Sequence, residues 1–252
     1  MSRGRMMIVL VLMLMAAISP VRGGAFDGDF EKGNTFYSTG DYANAITAYQ
    51  GILNAGYHSS ELYYNLGDAC FRTGQLGRAI LYYTRAKQLD PRDEDIQANL
   101  AFARRFAIDK IEITEETILL EYVNRFFDTF SLNEITWMAA LLYLLTAAAI
   151  LAHYIYRWFY LPKPVIVLLV SLFVLTAVFA GVKLDRDVLT RSGVVLDQQT
   201  EVKNGPGDDF TNQFTAHAGL MFTIEREESG YYLVDFENRL KGWIVKSAVA
   251  EI

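Results

Sequence analysis

The side chains in this chain that could perform acid–base, nucleophilic or metal chemistry are few and scattered. His58, His153 and His217 fall in three separate regions of the 252 residues. A catalytic or metal-binding histidine needs a second ligand, base or carboxylate at helix or loop spacing, and none of the three has a His, Cys and Asp grouping of that kind. Cys70 is the single cysteine. It excludes an internal disulfide and a cysteine-cluster zinc site. It falls at a core-facing position of a helical pattern, which predicts a small buried hydrophobe rather than a reactive thiol. Asp208-Asp209 is an acidic pair, but it follows Gly205-Pro206-Gly207 and reads as a solvated turn. No glycine-rich phosphate loop precedes a helix. The expectation is no enzyme activity, no cofactor and no metal. A net charge of -6 also argues against nucleic-acid binding, which needs clustered Lys and Arg.

What the chain offers instead is repetition. Gly33, Gly40, Ala45 and Tyr49 return as Gly67, Gly74, Ala79 and Tyr83, a period of 34 residues. Each unit fits helix, glycine turn, helix, with the turns at Gly40-Asp41 and Gly74-Gln75. Glycine and alanine let paired helices approach closely, and Pro91 stops the second hairpin because proline breaks helical hydrogen bonding. This pattern resembles the tetratricopeptide repeat (TPR) helical hairpin. The first repeat spans 26–59 and the second 60–93. Gly33, Phe36, Ala45, Tyr49, Leu66, Gly67, Ala79 and Tyr83 are predicted to be structural. The resemblance implies a concave protein-binding groove on the first helix of each repeat. Position by position it points to Asn34 and Tyr37, then Tyr64, Asp68 and Arg72, with Arg105 from the next helix. Tyrosine and arginine are common interface anchors; Tyr37 and Tyr64 fit core packing equally well.

Residues 94–108 continue with a capping helix, because Ile96, Leu100, Ala103 and Ala107 recur at helical spacing and a stacked array leaves an apolar end to cover. Two repeats and one helix are short for a free-standing solenoid, so packing against another part of the chain is expected. Residues 109–133 form a helical connector with an apolar face of Ile118, Leu119, Tyr122, Val123, Phe126, Phe127 and Phe130. Its polar side is acidic, unlike the basic face of membrane-surface helices, which favours packing against protein.

Arg3 and Arg5, an apolar run from Met6 to Ile18 and small residues at Gly23, Gly24 and Ala25 make the pattern of a signal peptide over residues 1–24. Residues 135–156 and 165–182 are two runs free of Asp, Glu, Lys and Arg. Their reach of about 33 and 27 Å suits a membrane-crossing hairpin. Ser131 and Glu134 have capping-box spacing at its start. His153 lies one turn from the end of the first run without an acidic partner in either run, so a proton relay is not expected. The connection, residues 157–164, carries Arg157 and Lys163 and no acid. The positive-inside rule places it in the cytoplasm, with both flanks on the other side.

After a charged linker, residues 183–191, residues 192–252 alternate in short segments with Gly, Asn and Pro turns, the mark of a small all-β domain. Glu201-Val202-Lys203-Asn204-Gly205-Pro206, Ala218-Gly219, Gly230-Tyr231-Tyr232 and Gly242-Trp243-Ile244 resemble the bacterial SH3 family in order and type. The resemblance implies a small barrel, and in some members of that family peptidoglycan binding. The expected fold is therefore multidomain: all-α TPR hairpins, a two-helix transmembrane hairpin and a small all-β SH3-like barrel. That order, with the stretch Asp93 to Leu100, Arg104, Arg105 and Ile108 to Ile111, is similar to the BatE type of Bacteroides-aerotolerance proteins. The resemblance implies an inner-membrane protein with its TPR and SH3-like parts in the periplasm. It also implies envelope-protein partners, including membrane proteins with von Willebrand A-type domains. The leading expectation is an interaction scaffold; the alternative is a peptidoglycan-binding or wall-sensing protein.

Overall fold

The computed structural model describes residues 26–109, 127–155, 162–236 and 240–252. The expected signal peptide, most of the connector and most of the short loop between the two apolar runs lie outside the described residues.

Five helices form the N-terminal array: α1 (Asp27–Ser38), α2 (Tyr42–Asn54), α3 (Ser60–Arg72), α4 (Leu76–Leu89) and α5 (Glu94–Arg104). Local signals set their ends. Asp41, Ser59 and Asp93 cap α2, α3 and α5 by accepting the backbone N–H of Asn44, Leu62 and Ile96 at 3.3, 3.1 and 3.0 Å, which satisfies donors that a helix start leaves unpaired. Helices α1 and α3 end alike. Gly40 and Gly74 take φ of +82° and +75°, and the following N–H of Asp41 and Gln75 bonds back to Phe36 and Cys70, each at 2.9 Å. A left-handed residue is required there, and glycine adopts that conformation without steric penalty. Close pairing repeats as well. A Cβ on Gly67 would stand 2.6 Å from the Tyr83 ring, and one on Gly33 would meet the Tyr49 ring in the same way. The core of the array contains Ala45, Tyr49, Leu62, Leu66, Ala79, Tyr83 and Cys70.

Helices α6 (Leu132–Ile155) and α7 (Lys163–Leu184) pack as a pair. Both are long and apolar enough to cross a membrane. Their outer faces expose Trp137, Leu141, Leu145, Val167, Leu168 and Leu175, unlike helices sunk in a protein core. The capping box at the start of α6 forms: Glu134 accepts the Ser131 backbone N–H at 2.9 Å and Ser131 accepts the Glu134 N–H at 3.3 Å. A π-helical turn, Asp185–Leu189, follows α7.

Polar contacts tie the base of this pair to the array. Asp128 accepts Lys87 of α4 at 2.9 Å and pairs with Arg186 beyond α7, while Arg92 pairs with Glu134. Lys183 is buried where α7 ends; it donates to the Phe127 carbonyl at 3.1 Å and pairs with Asp187 at 2.8 Å. Burial opposes ionisation of Asp128, but the hydrogen bond and charge of Lys87 and the charge of Arg186 outweigh it and hold the carboxyl below the usual range.

The C-terminal part is one antiparallel sheet in the order β3-β2-β6-β5-β4-β1-β7. Its strands are β1 (Ser192–Val195), β2 (Gln199–Lys203), β3 (Asn212–His217), β4 (Met221–Glu228), β5 (Tyr231–Phe236), β6 (Lys241–Val245) and β7 (Val249–Glu251). Ser229 and Gly230, with φ of 49° and 83°, make the tight β4–β5 hairpin that a left-handed two-residue turn favours. Val195, Val202, Phe222, Val234, Phe236 and Ile244 fill its core. The sheet is not closed into a barrel, which corrects the barrel expectation. β7 has three residues and pairs with β1, and β3 pairs with β2, so these two end strands do not meet to close it. Strands β3 and β7 carry little sequence signal: β3 buries only Ala216, so its apolar alternation is faint, and β7 is very short.

The sheet packs on the array. Val194 joins the helical core, with Leu196, Met221, Ala250 and Ile252 against it. A Cβ on Gly77 of α4 would stand 2.8 Å from Leu196 Cα, so that glycine allows backbone to meet helix. Arg85 donates to the Glu251 carbonyl at 2.6 Å, and Asp109 accepts the His217 backbone N–H at 2.7 Å. The array is short, and the sheet gives α4 a second packing surface beside its helical neighbours.

Candidate protein-binding groove

A polar seam repeats with the helices. The Tyr49 hydroxyl donates to Asn34 at 2.7 Å, and Asn65 donates to the same oxygen at 3.2 Å. One period later the Tyr83 hydroxyl donates to Asp68, and Asn99 donates to that carboxylate oxygen at 3.1 Å. Each set joins a first helix, its own second helix and the next first helix. Asn99 also donates to the Tyr64 hydroxyl at 2.9 Å, and the Tyr64 ring lies 6.0 Å from the Tyr83 ring. Tyr37 adjoins both the Asp68 carboxylate and the Arg72 guanidinium.

Four of the six predicted groove residues come together, Tyr37, Tyr64, Asp68 and Arg72, while Asn34 sits in the preceding set with Tyr49 and Asn65. Asn34 and Asp68 are partly buried and spend their acceptor oxygens on the seam, which gives them a positioning role. Tyr64 is also partly buried, and Arg72 is exposed. Arg105 stands apart. It is exposed just beyond α5, and among the described residues no hydrogen bond or ion pair links it to the other five. Sequence reasoning missed Asn65 and Asn99, which hold adjacent first helices in register. Their own separation of one period was the available signal. It also missed the aromatic end of the array, where Phe71, Phe102 and Phe106 meet.

Burial dominates the electrostatics of the seam. Burial raises the Asp68 carboxyl above its ordinary range, and the hydrogen bonds from Tyr83 and Asn99 only partly offset it. Burial, with the Asp68 charge beside it, pushes the Tyr64 hydroxyl up to about 12. Burial likewise pushes the Cys70 thiol up to about 12, the opposite of a thiol primed to react. Among the described residues no group of three His, Cys, Asp or Glu side chains could hold a metal ion.

A tetratricopeptide repeat family model matches residues 30–94. This segment is a tetratricopeptide repeat array. No curated protein matches the chain. The TPR match begins within α1 and ends where α5 begins, so the seam from Asn34 through Tyr83 lies within the matched region and Asn99 extends it onto the helix that follows. TPR arrays generally mediate protein–protein interaction.

Proposed function

We propose that this chain is a membrane-anchored protein-interaction scaffold, with the TPR array and the sheet domain held together outside the bacterial cytoplasm. The observation that carries the reading is the attachment of one array to two different supports. Helix α4 bears on the sheet through Gly77 and Arg85, and Lys87 on the same helix reaches Asp128 at the base of the apolar pair. The exposed apolar faces of α6 and α7 support a membrane hairpin. Arg157 and Lys163 support a cytoplasmic connection between them, which sends the array and sheet to the periplasm. Anchoring raises the effective concentration for other membrane proteins. The likeness of the chain to BatE-type and bacterial SH3 proteins supports an envelope complex serving aerotolerance, with von Willebrand A-type membrane proteins as partners.

The test is in-membrane crosslinking and co-purification of the full chain beside a Tyr64→Ala, Arg72→Ala variant. The variant is expected to recover much less of the envelope partner at unchanged membrane level. Equal recovery removes this groove from the function. Alkaline carbonate extraction tests the anchor: release of the chain into the soluble fraction would sink it.

A further inference from the structure

A second polar site lies where α4, the turn before α3 and the end of the sheet meet. A cavity of about 360 Å³, in the size class of small-ligand sites, is lined by His58, Tyr63, Arg85, Gln88, Leu89 and Ile252. Arg85, Gln88 and Leu89 stand three and four residues apart and so share one face of α4. Tyr63 of α3 supplies a buried wall. Its ring stacks on Tyr82 at 6.2 Å and on His58 at 5.9 Å, and its hydroxyl meets His58 Nδ1 at 2.8 Å. The half-buried Arg85 guanidinium lies 5.8 Å from that ring and donates to the Glu251 carbonyl at 2.6 Å. The mouth is open, since His58, Gln88 and Leu89 are exposed.

The charge of this cavity is not balanced from within. Among the described residues no Asp or Glu side chain pairs with Arg85. The carboxylate next to it in the structure, that of Glu251, is taken by Arg191 at 2.6 Å and by the Tyr232 hydroxyl at 2.7 Å. A guanidinium has five N–H donors. One goes to the Glu251 carbonyl and another borders the Tyr63 hydroxyl, which leaves donors for a planar anion of the kind arginine binds with two prongs. Gln88 adds an amide at the mouth, and Leu89 and Ile252 add aliphatic wall. We propose that this cavity binds a carboxylate carrying a short aliphatic group, with the carboxylate on Arg85 and the aliphatic group against Leu89 and Ile252. A free branched acid and the last residue of a polypeptide both offer that chemistry. Because Arg85 also holds the sheet to α4, the occupant sits at the joint between the two units. The proposal goes beyond the scaffold reading and uses none of Asn34, Tyr37, Tyr64, Asp68 or Arg72, which do not line the cavity.

The test uses the full chain in zwitterionic nanodiscs and ligand-observed NMR titrations with two pairs of probes. One pair is isocaproate and isocaproamide; the other is acetyl-Ala-Ala-Leu with a free or an amidated end. Each carboxylate should bind at least about tenfold tighter than its amide, because the charge-assisted pair is lost with the charge. A peptide that binds tighter than isocaproate assigns the site to a polypeptide end; equal or weaker binding assigns it to a free acid. Arg85→Gln keeps a donor for the Glu251 carbonyl and should weaken the tighter carboxylate about tenfold or more. Leu89→Glu changes an exposed wall residue outside the joint and should weaken it by repulsion, so the proposal stays open to test if Arg85→Gln fails to fold. Tyr64→Ala should leave the affinity within about twofold although partner capture by the seam falls, which separates failure of this cavity from failure of the groove. Equal binding of acid and amide overturns the proposal. So does carboxylate binding weaker than about 10 mM, or an affinity unchanged in either folded variant.

Discussion

Asp68 stands where the preceding repeat has Asn34, and the seam treats the two residues alike. Tyr83 and Asn99 both donate to one oxygen of Asp68, and an amide oxygen would accept the same two bonds. Burial raises the folded-state pKa of Asp68. In the window between the unfolded value, about 4, and the raised folded value, the native state binds more protons than the unfolded chain. Stability from this group therefore falls as pH rises through that window. Asp68→Asn should match the native chain below the window and be at least as stable above it, measured by thermal melts across pH. A variant less stable at neutral pH would show that the seam needs the charge. Gly67→Ala carries the opposite expectation. The new Cβ would press on the Tyr83 ring, and overpacking of this kind costs about 1–3 kcal/mol, readable as a lower urea midpoint.

Among elements, α4 has the most to satisfy. It pairs with α3, supports α5 and receives the sheet. Gly77 matters here in a way that Gly67 does not. A Cβ at Gly67 meets a ring, but one at Gly77 meets the backbone of Leu196, which cannot rotate away. Gly77→Leu should separate the sheet from the array while leaving each folded. Hydrogen exchange would read this as faster exchange in β1 and β7 with the α1–α3 amides unchanged. Protection that stays the same in β1 and β7 would show that the contact bears no weight. The helices themselves were legible from sequence because a repeat writes its core residues at fixed intervals. The end strands were not, since β3 buries a single residue and β7 is too short to display a period.

At the scale of the whole molecule, Asp128 joins the array to the base of the apolar pair through Lys87 and Arg186. Its pKa is lowered in the folded chain, so its stabilising contribution is complete above the unfolded value and is lost as pH falls through the folded one. Mild acid should therefore loosen this joint. A crosslink engineered between α4 and the segment that follows α7 should form less efficiently at pH 3 than at pH 7, both as approximate settings on either side of the ordinary carboxylate range. In Asp128→Asn its yield should be low at both. If acid leaves the yield unchanged in the native chain, the ion pairs do not hold the joint.

The sequence by itself determined the features written into local spacing. These are the repeated hairpins, the caps, the two apolar runs and the β character of the C-terminal part. Each depends on which side chains recur every two or every few residues along one element. Only the tertiary structure decided the rest. It turned Asn34 and Asp68 into acceptors that hold the seam, set Arg105 apart from it, and laid an open sheet on α4 at Gly77. Those outcomes depend on which surfaces of distant elements meet, and a period within one element does not specify the register between two.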